Sequence, residues 1–207
     1  INYAHLYNVK VYVTVNTLVY ENEVEQFIEY IRFLHKNNVD AVIVQDIGMM
    51  DLIVNTFPNL EVHASTQMHI HNLEGVKLVE KLGVKRAVLA RETSIDNIKE
   101  IKNNAKIELE IFVHGALCVS YSGQCLMSSL IGGRSGNRGT CAGTCRQQYD
   151  VLDNNKTKVN QMNYNLSMKD LNSLENIGEL IDAGVDSLKI EGRMKSPSYV
   201  YLVTKLY

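Results

Sequence analysis

Tryptophan is absent from this 207-residue chain, proline occurs twice, and no apolar run approaches the roughly 18 residues that a membrane-spanning helix needs. So little proline beside 45% apolar content excludes a linker-like or disordered composition and leaves enough material for one substantial core. Neither sign of charge is in excess. With 21 Lys and Arg against 23 Asp and Glu, the net charge of −2 does not describe a chain wrapped in nucleic acid, although a local basic patch is compatible with RNA. The start, Ile1-Asn2-Tyr3-Ala4-His5, lacks the basic end and apolar stretch of a signal peptide, so the expected location is cytoplasmic. Because the chain opens on Ile and stops within a helical pattern, it reads as a piece of a longer protein. Three catalytic signatures are also missing: the G-x-G-x-x-G phosphate loop, the G-x-S-x-G elbow and the H-E-x-x-H helix.

What is present is a rhythm. Val9 to Asn16 is rich in β-branched residues and reads as a buried strand, followed by a helix whose apolar face is Val24, Phe27, Ile28, Ile31 and Leu34. Asn37-Asn38 stops that helix ahead of a second strand at Ala41 to Val44. Further strands are expected near Leu60–His63, Arg86–Ala90, Ile107–Val113 and Ser187–Ile190. Helices are expected around Leu73–Leu82, Ile95–Ile101 and Leu174–Ile181, the last stopped by Gly184. Six strands alternating with helices indicate a parallel sheet, and the missing phosphate loop favours a barrel over a dinucleotide-binding fold. The expected class is α/β, an incomplete (β/α)8 TIM-like barrel with two units upstream of residue 1. Residues 1–114 then carry βα units, 115–172 form a Cys-rich insertion, and 173–207 form the last βα unit. Within the insertion, Gln148–Leu152 and Lys156–Gln161 flank Asp153-Asn154-Asn155 as a hairpin.

Barrel active sites form where strands hand over to the following loops, and every such end here is polar. They are Asn16; Gln45 and Asp46; Ser65, Thr66 and Gln67; Arg91 and Glu92; His114; and Glu191 with Arg193. Any strand leaving a core must meet water, so the set is more informative than its members. Glu110, Phe112 and His114 alternate along one strand and are expected on one face. An inward Glu110 would be buried, paired and perturbed in pKa, whereas an outward one would be an ordinary surface carboxylate. Glu191 with Lys189 and Arg193, and Arg91 beside Glu92, each read either as a catalytic or anchoring group or as an ion-pair cluster. Arg134, Arg138 and Arg146 could meet RNA phosphates or simply form a solvated surface.

Cysteine is confined to Cys118, Cys125, Cys141 and Cys145, spaced x6, x15 and x3 among many glycines. In a reducing compartment this clustering favours a shared ligand over disulfides. Four thiolates suit an iron–sulfur cluster or zinc, and the spacing lacks the paired short knuckles of a zinc ribbon. Two alternatives stay open. The thiols could pack as small apolar side chains, or Cys118 could be a nucleophile activated by His114, which leaves three cysteines unexplained.

The run Glu110-Ile-Phe-Val-His-Gly115-Ala-Leu-Cys118, continued by Tyr121-Ser-Gly123-Gln-Cys125-Leu-Met-Ser128, resembles the diagnostic pattern of the collagenase-like peptidases, family thirty-two of the U peptidases. Asn137-Arg-Gly139-Thr-Cys141, Cys145-Arg146, Met168-Lys-Asp-Leu171 and Gly184 to Ser196 extend the resemblance over essentially the whole chain. It implies a (β/α)8-like barrel and a choice of chemistry. Some members carry a claimed peptidase activity. Others are oxygen-independent hydroxylation proteins that act on a tRNA uridine or an rRNA cytidine with prephenate as oxygen donor, or that serve ubiquinone synthesis with a 4Fe–4S cluster. By position, Cys118, Cys125 and Cys141 match cluster cysteines, and Cys145 is expected as the fourth. The resemblance thus points to tRNA uridine 5-hydroxylation with prephenate, with peptide hydrolysis or a zinc-braced binding module as rivals. Arg91, Lys189 or Arg193 would hold the anionic donor, Glu110, His114 or Glu191 would move protons, and RNA and a paralogous subunit are the expected partners.

Overall fold

The computed structural model describes residues 1–159 and 163–207. A single-turn helix α1 (Asn2–His5) precedes four βα repeats and a fifth strand. These are β1 (Tyr12–Val15) and α2 (Val24–Lys36); β2 (Ala41–Val44) and α3 (Ile47–Thr56); β3 (Glu61–Ala64) and α4 (Leu73–Lys81); β4 (Arg86–Val88) and α5 (Ile95–Asn104); and then β5 (Glu108–Gly115). The Cys-bearing segment follows with the short α6 (Met127–Gly132) and ends in β6 (Leu171–Asn172). The chain finishes with α7 (Ile177–Asp182), β7 (Ser187–Glu191) and α8 (Pro197–Leu206).

Strands β1 to β5 and β7 are parallel neighbours in chain order, an open, curled part of a barrel. Pairings such as Val15 with Val44, Val44 with Ala64, and Ala64 with Ala87 keep the side-chain alternation in step around the sheet. One face, with Val42, Val44, Val62, Ala64, Leu109, Ile111 and Val113, packs on helix residues such as Ile31, Met50, Ile53, Val76, Val79 and Ile101. This layer is the main core, and each such side chain contributes about 1.5–3 kcal/mol of burial. The concave face is different. Its positions include Thr14, His63, Arg86, Glu110 and Lys189, so charge and hydrogen-bonding groups occupy the inside of the curl.

Helix starts are capped as their sequences predict: Asp46 accepts from the amides of Gly48 and Met49, Asn72 from Gly75, Ser94 from Asn97, and Ser196 from Tyr199. Asn38 (φ 57°) and Gly184 (φ 82°) end helices in the left-handed region.

Two features depart from the periodicity reading. Helix α3 has apolar residues on nearly every side (Ile47, Met49, Met50, Leu52, Ile53, Val54), so no stripe betrays it. Strand β6 is two residues long and pairs antiparallel with β5, Gly115 having Leu171 on one side and Glu191 on the other. The expected hairpin is represented by antiparallel bridges Tyr149–Asn163 and Leu152–Lys158, with Asp153 Oδ1 accepting from the amides of Asn155 and Thr157. The part of its second arm at Asn160 and Gln161 lies outside the described residues.

Candidate functional site

A cavity of about 790 Å³ opens at the C-terminal ends of the strands, and all four cysteines line it. Asn16, Gln67, Arg91, Glu191 and Arg193 share its wall. Two glycines make this assembly sterically feasible. A Cβ on Gly115 (φ +107°) would lie 2.4 Å from the carbonyl oxygen of Glu191, and one on Gly123 (φ +74°) would lie 2.0 Å from that of Gln67. The strand end carrying Cys118 can therefore lie against β7, and the Tyr121–Cys125 turn against the end of β3, only without side chains at these points.

Local hydrogen bonds then tie the thiol-bearing turns to one another. Arg146, adjacent to Cys145, donates to the carbonyl of Leu117, adjacent to Cys118 (2.5 Å), and also to Ser167 Oγ (2.6 Å) and the Met168 carbonyl (2.7 Å). Ser128 Oγ, just beyond Cys125, accepts from the amide of Ala142, next to Cys141 (2.8 Å). Arg138 grips the loop after β1: it donates to both oxygens of Glu23 (2.5 and 2.8 Å) and to the Leu18 carbonyl, and its guanidinium lies 4.4 Å from the centre of the Tyr20 ring. That contact holds the Glu23 carboxyl below the usual range. Arg134 Nε donates to the Thr140 carbonyl (2.9 Å). The three arginines offered by the sequence as phosphate contacts are thus engaged within the segment itself or with its supports.

All four thiols are free of disulfides. The amide of Gly143 donates to Cys141 Sγ at 3.4 Å, and burial, with Cys118 and Cys141 nearby, pushes the Cys145 thiol up. Among the described residues, no three His, Cys, Asp or Glu side chains converge closely enough to chelate one metal ion. The donor set is four soft ligands around a shared space with amide hydrogens directed at sulfur, not a closed shell around a point.

The other candidate residues divide between two levels. Arg91 lies flat 3.8 Å from the centre of the Phe112 ring, its Nη2 is 3.6 Å from Glu191 Oε2, and its buried Nε has no partner among the described residues. Burial lowers the Arg91 guanidinium from its ordinary value, against the pull of Glu191. Glu191 Oε1 also accepts from the amide of Arg193 (3.2 Å). These three residues share the cavity with the thiols.

Glu110 and Lys189 belong to a level below. Glu110 is 5% exposed and accepts from Lys189 Nζ (2.8 Å), Arg86 (3.0 Å) and the Ser187 hydroxyl (3.0 Å). Burial pushes its carboxyl up, but these three donors overcome that and hold it below the usual carboxylate range. It is a fixed anion within a network whose other members, Arg86, Glu108 and Ser187, the strand-end inventory did not include. Alternation of Glu108 with Glu110 and of Ser187 with Lys189 was the available signal. Arg86, alone on a three-residue strand, offered none.

His114 takes a different direction from Glu110 and Phe112, contrary to strict alternation. The register between β5 and β7 slips between Phe112 and His114, a bulge that pairs His114 with Ile190 and Gly115 with Glu191. His114 then faces α8: its Nδ1 is 3.3 Å from the Tyr207 hydroxyl and its ring 6.1 Å from that of Tyr199. A Cys118–His114 nucleophilic pair is not assembled, and neither His114, Glu110 nor Lys189 lines the cavity.

The sequence matches Peptidase family U32 over residues 1–207. Among similar proteins, the 23S rRNA 5-hydroxycytidine C2501 synthase of Escherichia coli is 44% identical over 99% of this chain and 31% of its own length. The tRNA hydroxylation protein P1 of Bacillus subtilis is 38% identical over 100% of this chain and 50% of its own. The collagenase of Porphyromonas gingivalis is 35% identical over 96% of this chain and 50% of its own. The chain therefore spans about a third to a half of these relatives. The solved U32 peptidase Mk0906 superposes with a TM-score of 0.58 over 95% of this chain and 74% of that one, at 14% identity. With the family pattern matched from end to end and the half-barrel shared, the chain belongs to Peptidase family U32.

Proposed function

We propose that this chain carries the catalytic cavity of an iron–sulfur-dependent RNA hydroxylation enzyme, with a tRNA uridine as first substrate and prephenate as oxygen donor. One observation carries the reading: four thiols from separate turns line one cavity whose other lining groups include Arg91, Arg193 and Glu191. Relatives named for RNA hydroxylation, at 38–44% identity over nearly the whole chain, support it. Cys118, Cys125, Cys141 and Cys145 would hold a 4Fe–4S cluster, for which four thiolates are a complete set of protein ligands. When bound, the cluster supplies redox capacity next to the substrate.

The remaining chemistry falls to the chain's own groups. Arg91, stacked on Phe112 and facing Glu191, presents a guanidinium to a carboxylate of the donor, and Arg193 adds a second cation. Glu191 is the carboxylate placed to take up or release a proton in the cavity. Lys189 and Glu110 satisfy each other beneath and support the floor.

The peptidase alternative has a relative in its favour, the collagenase, but among the described residues no histidine lines the cavity beside the thiols. Anaerobic purification of the full-length protein should give a brown protein with iron and acid-labile sulfide. Mass spectrometry of RNA nucleosides from a deletion strain should show loss of one 5-hydroxypyrimidine, restored by the wild type and not by Cys141→Ser. An unchanged nucleoside profile, together with gelatin cleavage that survives Cys141→Ser, would overturn the proposal.

A further inference from the structure

Above the ion-pair level, the concave face ends in a tier of neutral amides. Asn16, Gln45 and Ser65 directly follow the paired positions Val15, Val44 and Ala64, so they stand side by side at one height. Asn16 Nδ2 donates to Ser65 Oγ at 3.4 Å, across the position Gln45 occupies. Gln45 is 8% exposed, and its Oε1 is buried without a hydrogen-bond partner among the described residues. A buried acceptor left unpaired costs free energy, and Gln45 stands behind the cavity lining rather than in it. Asn16 and Gln67 reach the cavity wall, so the tier is continuous with the space that the thiols enclose.

The rim beside this tier is aromatic. Tyr121, between Cys118 and Cys125, lines the cavity and is 65% exposed. Its ring lies 5.8 Å from that of His69, which in turn lies 4.7 Å from that of His71. His69 is held at φ 57°, a conformation uncommon for a side chain of its size, by its amide bonding the Thr66 carbonyl (3.1 Å). The amides and the aromatic rim call for different complements from the arginines. Guanidinium groups suit an anion, whereas amides, each both donor and acceptor, suit the edge of a neutral heterocycle, and an exposed ring suits its face.

We propose that Asn16 and Gln67 read the edge, and Tyr121 stacks on the face, of a pyrimidine base extruded from single-stranded RNA into this cavity. The assignment rests on the RNA reading above and adds where the base sits. It also separates two subsites, with the base against the amide tier and an anionic co-substrate against Arg91 and Arg193. The cavity lies within the size range of small-ligand sites, so a base can enter beside a second small molecule.

Fluorescence anisotropy of the full-length protein with two probes tests this: oligouridylate, and a ribose-phosphate chain of equal length without bases. Wild type should prefer oligouridylate by roughly tenfold, the contribution expected from stacking of a base on an aromatic ring. Tyr121→Ala should reduce that preference to near unity while binding of the base-free chain is unchanged, and Tyr121→Phe should retain it. Gln67→Leu should weaken oligouridylate alone. Tyr121 is exposed, so its variants fold. Equal binding of both probes by the wild type, or a preference untouched by Tyr121→Ala, overturns the base subsite while the nucleoside profile still decides the RNA reading. Binding of neither probe overturns the subsite together with RNA recognition by this protein.

Discussion

Glu110 illustrates how one residue's environment becomes a property of the whole chain. Three donors hold its carboxylate, and Arg86, which also pairs with Glu108 at 2.7 Å, would be left with less compensation without it. Glu110→Gln should therefore destabilise the protein by about 3–5 kcal/mol in urea unfolding, since breaking a buried pair leaves uncompensated charge. The acid dependence has two windows. His63, with no exposed surface, is pushed down from 6.5 by burial and then by Arg86, with Glu61 3.6 Å away and beyond hydrogen-bond reach. A histidine kept neutral in the folded state contributes stability that is present above pH 6.5 and is lost as pH falls below it towards the folded value. Glu110, held below 4.5, contributes stability that is present above that pH and is lost as pH falls through its lowered value. Stability measured against pH should accordingly fall in two stages. Glu110→Gln should shrink the lower stage, to which the lowered carboxyls of Asp40 and Glu108 also contribute, and keep the upper one; a single stage in the wild type, or loss of the upper stage in the variant, would contradict the assignment. That Glu110 would be buried if it faced inward followed from its strand. Which way it faced did not, because alternation sets parity and only the sheet's curvature tells which parity is concave.

At the level of elements, the Cys-bearing segment is assembled less by secondary structure than by arginine bridges and glycine contacts. Arg146 makes three bonds to groups on two other turns, including the one carrying Cys118. Arg146→Ala should leave the thermal unfolding of the sheet within about 1 kcal/mol, as expected for exchange of partly hydrated hydrogen bonds with water. It should, however, markedly increase proteolytic cleavage between residues 115 and 172. Limited proteolysis with mass mapping reads this directly, and an unchanged cleavage pattern would show that the bridge does not order the segment. Sequence spacing announced that this interval was an insertion and that its cysteines belonged together. The bridging partners were invisible because they are carbonyl groups such as those of Leu117, Leu18 and Met168, and any residue type carries a carbonyl. The bulge in β5 was equally hidden. It arises where β7 must pair Glu191 with Gly115, a long-range demand that alternation within one strand does not encode.

Across the whole molecule, burial is uneven. Strand β2 has every residue buried, lies between β1 and β3, and faces α3, whereas few of the described residues from Cys118 to Met168 are buried. Native-state hydrogen exchange should therefore place β2 and β3 amides in the slowest class, at the free energy of global unfolding, with those of residues 118–168 exchanging through local opening. Equal protection in the two regions would contradict this division. Among the described residues no helix is long and apolar enough to cross a membrane. The sequence by itself determined the alternation of strands and helices, the helix stops at Asn37-Asn38 and Gly184, the polar strand ends and the grouping of four cysteines, because each depends on residues near one another in the chain. Tertiary structure alone decided that Arg91, Glu191 and Arg193 share the cavity with the thiols, that Glu110 and Lys189 lie beneath it, and that His114 turns towards α8. Those outcomes depend on strand register and sheet curvature, which are set by pairings between residues far apart in the chain, such as Glu110 with Ser187.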